Sequence, residues 1–263
     1  MGMNGSLDRQ VISVSGKGGT GKTTFVALLL KTLVSSENSY TTLVVDADPD
    51  TNLPDVLGVK VNSTVGKKAT ELKRRIEEGS LSFSISKSDL LEAWVYETLV
   101  EHEKFDLLIM GRTEGEGCYC YVNNALTNIL DRLITNYDIV LMDMEAGLEH
   151  LSRRTDRDVN TMIVVCDPSK MSLKTAIRIR DIAREVHINI RNIYLVGNRF
   201  HPDNVELFNE WAEREGFKVA GYIPEDPYVQ KCHMMGIPLM EIPEESPALS
   251  AVKNIAVNIG IPI

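Results

Sequence analysis

Gly16-Lys17-Gly18-Gly19-Thr20-Gly21-Lys22-Thr23-Thr24 stands directly after the apolar run Val11-Ile12-Ser13-Val14-Ser15 and directly before Phe25-Val26-Ala27-Leu28-Leu29-Leu30. The order is a short strand-like run, a glycine-rich turn, then an apolar helical stretch. G-x-x-x-x-G-K-T in that setting reads as a phosphate-binding P-loop. Gly16, Gly18, Gly19 and Gly21 let the backbone curl so that several N–H groups, those around Thr20 and Thr24 included, aim at phosphate oxygens. The helix N-terminus adds partial positive charge. Lys22 is placed to reach the β- and γ-phosphates, and Thr23 to ligate Mg²⁺. The expected ligand is a nucleoside triphosphate with Mg²⁺, and the expected activity is hydrolysis of ATP to ADP and phosphate.

Working outward, short apolar runs alternate with helical patterns. Strands are expected at 11–15, 42–46, 107–110, 139–143, 162–166, 193–196 and 219–222, and helices at 23–34, 123–134, 172–185, 204–215 and 248–258. Unbroken Val, Ile and Leu runs suit strands buried on both faces, as in a parallel sheet covered by helices. The fold class is therefore α/β, a doubly wound and mostly parallel sheet, with ligands beyond the carboxyl ends of the strands. Residues 66–103 break the rhythm, with charged helical segments at 67–78 and 89–101 and no clear strand. The chain is read as one domain over 1–263 with a helical insertion at about 66–103.

At 263 residues the chain can bury a full core without disulfides or metal staples. It has no apolar run of about 18 residues and no signal-like N-terminus, so neither membrane insertion nor secretion is expected, and the cytoplasm is the expected compartment. The net charge of −9 disfavours non-specific nucleic-acid binding, which needs clustered Lys and Arg. Four cysteines in such a chain do not make a disulfide framework.

Further acids agree with a phosphate site. Asp46-Ala47-Asp48 closes the second strand, where carboxylates can hold a magnesium-bound water and orient an attacking one. Asp143 ends Ile139-Val-Leu-Met-Asp143, an apolar strand with a terminal acid suited to binding Mg²⁺ through water. Lys17 is more than an ordinary P-loop needs. With it, the sequence resembles the deviant Walker A family, which includes the nitrogenase iron protein, MinD and ParA. That resemblance implies a homodimer with ATP at its interface and with Lys17 reaching the partner's nucleotide. It assigns Asp48 to orienting the attacking water, places Gly147 near the γ-phosphate, has Asn198 bond the adenine, and makes the Tyr222-Ile-Pro224-Glu-Asp-Pro227 segment the loop over the base. A guanine-type T/N-K-x-D motif does not stand at Asn198, so ATP is preferred over GTP.

Cys118 and Cys120 lie one residue apart in Gly115-Glu-Gly-Cys118-Tyr-Cys120. In an extended chain, residues two apart point the same way. Two thiolates make half of a soft four-coordinate site, and a two-fold axis would supply the other half. Cys166 reads as core, and Cys232 as part of a buried helix face. The strings around Cys118 and Asp143-Met-Glu-Ala-Gly147-Leu-Glu149-His150 resemble the CooC family of accessory ATPases for nickel enzymes. The resemblance implies that the paired cysteines of two protomers hold Ni²⁺, or Zn²⁺ as a surrogate. It also implies a client, the apo form of carbon monoxide dehydrogenase or acetyl-CoA synthase, and a link from nucleotide to thiolates through Glu149 and His150. An electron donor with a dimer-bridging iron–sulfur cluster is the alternative reading, and a MinD- or ParA-like positioning ATPase a more distant one.

Overall fold

The Val-, Ile- and Leu-rich runs become the strands of an eight-stranded sheet in the computed structural model, which describes residues 9–80, 86–112, 120–145, 159–185, 190–261 and 263. The elements run β1 (Gln10–Ser15), α1 (Lys22–Val34), β2 (Thr42–Asp46), α2 (Leu53–Leu57), α3 (Val65–Glu77), α4 (Lys87–Thr98), β3 (Val100–His102) and β4 (Phe105–Ile109). They continue with α5 (Cys120–Ile134), β5 (Ile139–Asp143), β6 (Val159–Cys166), α6 (Lys170–Glu185), β7 (Ile190–Asn198), α7 (Val205–Arg214), β8 (Lys218–Ile223), α8 (Pro227–Met235) and α9 (Pro247–Asn258). The strand order is β3-β4-β2-β5-β1-β6-β7-β8, parallel throughout except for β3 against β4. This is the α/β doubly wound sheet expected from the sequence.

Strand side chains alternate between two cores. Leu43, Val45, Val140, Met142, Met162 and Val164 join the core that α3, α4, α5, α6 and α7 cover. Val44, Leu141, Ile12, Val14, Ile163 and Val165 join the core under α1 and α9. Burial on both faces is why these runs lack polar alternation. From Phe25 to Leu30, α1 is at most 1% exposed at any residue. Each such side chain contributes about 1.5–3 kcal/mol of transfer free energy before entropy is subtracted. The helix that carries the P-loop is thus anchored in the core. β1 sits between β5 and β6 near the sheet's centre, and the chain runs from β1 to β2 on one side but from its neighbour β5 to β6 on the other. The crevice that results at its carboxyl end is where α/β sheets bind ligands.

Four elements, β3, α5, α2 and α8, differ from expectation. β3 falls inside the stretch read as purely helical, because α4 ends at Thr98 and Leu99 turns extended at φ −67°, ψ 124°. Three residues returning through a tight turn, with His102 paired to Phe105 and their rings stacked at 4.5 Å, leave almost no sequence pattern. α5 starts at Cys120 instead of residue 123, so Cys120 is the first residue of a helix and not part of an extended segment. α2 and α8 are short helices opened by Pro near the N-terminus, a signal easily read as a turn. Among the described residues, no helix is long and apolar enough to cross a membrane.

Candidate functional site

The loop between β1 and α1 is held by its own backbone and by a distant strand. The Thr20 amide and hydroxyl both donate to the Lys17 carbonyl, at 3.2 and 2.8 Å. Gly16 has φ +150° and lies so close to Val165 that a Cβ would come within 2.4 Å of its carbonyl oxygen. Gly21 has φ +93° as the residue before α1, and a Cβ there would sit 2.2 Å from the Asn198 amide nitrogen. Both positions therefore need glycine for backbone geometry and for space. Asn198, at the end of β7, donates from Nδ2 to the Thr20 carbonyl at 2.8 Å. Next to it, Arg199 takes a left-handed backbone (φ +58°) and donates to the Gly19 carbonyl at 2.8 Å. The end of β7 thus braces the loop's peptide groups from outside.

Two acids end adjacent strands beneath this loop. Asp46 of β2 pairs in register with Asp143 of β5, and neither is more than 1% exposed. Asp46 accepts from the Asp48 amide at 3.1 Å and from the Leu53 amide at 3.2 Å. Burial, together with the Asp143 carboxylate beside it, pushes its carboxyl up to about 7. Neither oxygen of Asp143 reaches a protein donor in hydrogen-bond geometry. Burial pushes Asp143 up to about 6, against the pull of the nearby Thr23 hydroxyl and Lys22 ammonium. An unsatisfied buried carboxylate is costly, and a cation is the partner that relieves it. Asp143, with Thr23 close by, is a hard oxygen donor set of the kind that suits Mg²⁺.

Above the acids opens a cleft of about 710 Å³. One wall is the P-loop: Gly18, Gly19, Gly21, Lys22, Thr23 and Thr24. Asp48, Asp50 and Asn52 form the floor's edge, and the far wall runs from Asn198 and Arg199 to Ile223, Pro224, Glu225, Asp226, Gln230 and His233. Its size is that of a small-molecule site. Asp48 is tied down locally, accepting from the Asp50 amide at 3.0 Å, and Asp50 pairs with exposed Arg112 at 2.8 Å.

Asp226 builds the far wall. It is 4% exposed and caps α8 by accepting from the Tyr228 and Val229 amides at 2.7 and 3.4 Å. Its other oxygen accepts from the Ser246 hydroxyl at 2.6 Å and the Ala248 amide at 2.9 Å, which joins the start of α9 to the start of α8. Burial alone would raise its carboxyl, but these donors hold it below the usual carboxylate range. Seven residues further on, His233 brings its Nε2 within 3.1 Å of the Thr24 hydroxyl.

The structure therefore brings Gly18, Gly19, Gly21, Lys22, Thr23, Thr24, Asp48, Asn198 and Pro224 to one cleft, with Asp143 buried beneath it and Thr20 and Gly16 shaping the loop behind. Lys17 does not line the cleft of its own chain. Gly147, Glu149, His150 and Cys118 lie outside the described residues, as does the side chain of Cys120. Cys166 is fully buried in β6, where burial pushes its thiol up to about 12, and Cys232 is buried on α8, both as expected from the sequence. Among the described residues, no three His, Cys, Asp or Glu side chains cluster to hold a metal ion. Asp226, Arg199 and His233 were not singled out as site residues. The Asp226-Pro227 pair carries a helix-start signal, whereas nothing in the sequence ties His233 to a threonine more than two hundred residues away.

Residues 11–239 match the CobQ/CobB/MinD/ParA nucleotide binding domain. An uncharacterized ATP-binding protein of Methanocaldococcus jannaschii is 46% identical over 246 residues, covering 94% of this chain and 96% of that protein. The carbon monoxide dehydrogenase accessory protein CooC of Rhodospirillum rubrum is 32% identical over 238 residues, covering 86% of this chain and 88% of its own. Among solved structures, the septum site-determining protein MinD of Pyrococcus horikoshii, complexed with Mg-ADP, superposes with a TM-score of 0.65 at 21% identity, covering 96% of each chain. At that identity the likeness establishes the fold.

Proposed function

Because the chain belongs to the CobQ/CobB/MinD/ParA nucleotide-binding family, we propose that it is a magnesium-dependent ATPase that acts as an accessory protein for a nickel enzyme. The observation that carries the ATPase reading is the pairing of a braced P-loop with a buried, unsatisfied Asp143 at the head of a nucleotide-sized cleft. Lys22 would neutralise the β- and γ-phosphates, with the loop amides around Gly18 to Thr24 orienting them. Asp143 and Thr23 would hold Mg²⁺, which supplies charge neutralisation across the phosphates. Asp48 would orient the attacking water. Asn198 and Pro224 would contact the base, with Asn198 reaching it through the oxygen of an amide whose nitrogen is engaged by Thr20.

The cytoplasmic accessory role rests on Cys118 and Cys120 and on the CooC relative. In this reading the whole chain is one ATPase domain, with residues 66–103 inserted. It closes as a homodimer on two ATP molecules, and Lys17, which does not line its own cleft, reaches the partner's nucleotide. Gly147 would meet the γ-phosphate, and Glu149 and His150 would carry the nucleotide state toward the thiols. The Cys pairs of two protomers bind Ni²⁺ as cargo for apo carbon monoxide dehydrogenase or acetyl-CoA synthase. Four thiolates suit Ni²⁺ or Zn²⁺. Cys166, deep in the core with its thiol raised, offers no exposed partner for a cluster of the nitrogenase type.

Anaerobic titration with Ni²⁺, with and without Mg-ATP, tests the proposal. About one Ni²⁺ per two chains is expected, lost in Cys118→Ala/Cys120→Ala and changed by ATP. In Lys17→Ala, Ni²⁺ should still bind but no longer respond to ATP. Iron with sulfide in place of nickel would move the assignment to an ATP-driven electron donor, and thiol-independent or absent metal binding would remove the cargo role.

A further inference from the structure

Resting on the reading of the cleft as an ATP site, we infer that His233 is a direct nucleotide ligand that donates to the phosphate nearest the sugar. Thr24 lies one residue beyond Thr23, the proposed magnesium ligand, on the first turn of α1. In a P-loop the lysine and the magnesium threonine serve the terminal phosphates. The next residue along the helix therefore faces the phosphate toward the sugar and base. The Thr24 hydroxyl and His233 Nε2 are 3.1 Å apart and share one hydrogen between them. A phosphate oxygen arriving between them can accept from both, and two converging donors are a better partner for an anion than for each other.

The placement of His233 is built into the fold. α8 is fixed at its start by Asp226, which also ties it to α9. Val229, Gln230 and His233 then project from α8 into the cleft. At this end of the wall Glu225 and Asp226 stand beside apolar Ile223 and Pro224 and neutral Gln230. Among the described residues that line this end of the cleft, from Ile223 to His233, His233 is the one basic side chain. The other cations of the cleft are Lys22, committed to the terminal phosphates, and Arg199, engaged with the Gly19 carbonyl. Without His233, the described residues from Ile223 to Gln230 would offer the phosphate nearest the sugar the carboxylates of Glu225 and Asp226 and no cation.

The contact is shared by every nucleotide that carries a phosphate at that position, which gives it a signature distinct from a γ-phosphate sensor. Equilibrium titration of the full chain with Mg-ATP and with Mg-ADP, for wild type, His233→Ala and His233→Gln, reads it directly. His233→Ala should weaken ATP and ADP by the same factor, about tenfold, and His233→Gln, which keeps a donor, should recover most of the loss. Melting temperatures should not move, because His233 is exposed. Wild-type affinities in His233→Ala would overturn the inference and leave the ATP site standing. Weakening of ATP alone would overturn the placement at the inner phosphate. A wild-type chain that binds neither nucleotide would overturn both the inference and the reading beneath it.

Discussion

Asp143 and Asp226 are both buried acids at the carboxyl-end crevice of the same sheet, and the protein treats them in opposite ways. Asp226 receives four donors, caps α8 while binding Ser246 and the Ala248 amide at the start of α9, and is held as a carboxylate. Asp143 receives none, sits beside a second acid in Asp46, and is pushed toward the protonated form. One is satisfied by the protein itself, and the other, on the function proposed above, is completed by Mg²⁺ with the nucleotide. The difference separates a residue that builds the cleft's wall from one that waits at its base. Burial by itself does not tell them apart; the hydrogen-bond inventory does.

Removing the satisfied acid should produce the larger loss of stability. Asp226→Ala leaves two helix starts and the Ser246 hydroxyl without their acceptor, and should cost about 2–4 kcal/mol in denaturant unfolding. A change below about 0.5 kcal/mol would mean that the double cap is replaceable by water. The two acids should also pull stability in opposite directions with pH. Asp46 and Asp143 have raised values, so their contribution is full below the normal carboxylate range and is lost as pH rises through about 6 and 7. Asp226 has a lowered value, so its contribution is present above that range and is lost as pH falls through the lowered value. Ligand-free melting temperature should therefore fall between about pH 4 and 7 and level off above that, and the fall should shrink in Asp143→Asn. An unchanged slope in that variant would show that the fall comes from other groups.

The same contrast explains what could be read from the sequence. The sheet was legible because strands buried on two faces must be continuously apolar, and 42–46 and 139–143 became β2 and β5 with unchanged ends. The P-loop was legible because its chemistry fixes residue types at fixed spacing. β3 was not legible, because a three-residue edge strand is defined by its pairing with β4 and not by its own composition. The far wall of the cleft was only partly legible. Pro224 was assigned by resemblance, but the value of Asp226 lies in meeting Ser246 and Ala248, some twenty residues away, and that of His233 in meeting Thr24 across the fold. Asn198 was expected to touch the base; what the structure shows is its amide bracing the Thr20 carbonyl, a placement that forces glycine at position 21.

The central claim is that Asp143 is held unsatisfied in order to take Mg²⁺ with the nucleotide. The most direct measurement is the melting temperature and ATP turnover of Asp143→Asn beside wild type at pH 8, with and without Mg-ATP. Without ligand, the variant should be the more stable by about 1–2 kcal/mol, because it removes a buried charge whose desolvation outweighs the pull of Lys22 and Thr23. Mg-ATP should raise wild-type melting well above that of the variant, and turnover in the variant should fall by about 10²–10³. A variant that is less stable without ligand and still hydrolyses ATP at the wild-type rate would contradict the claim.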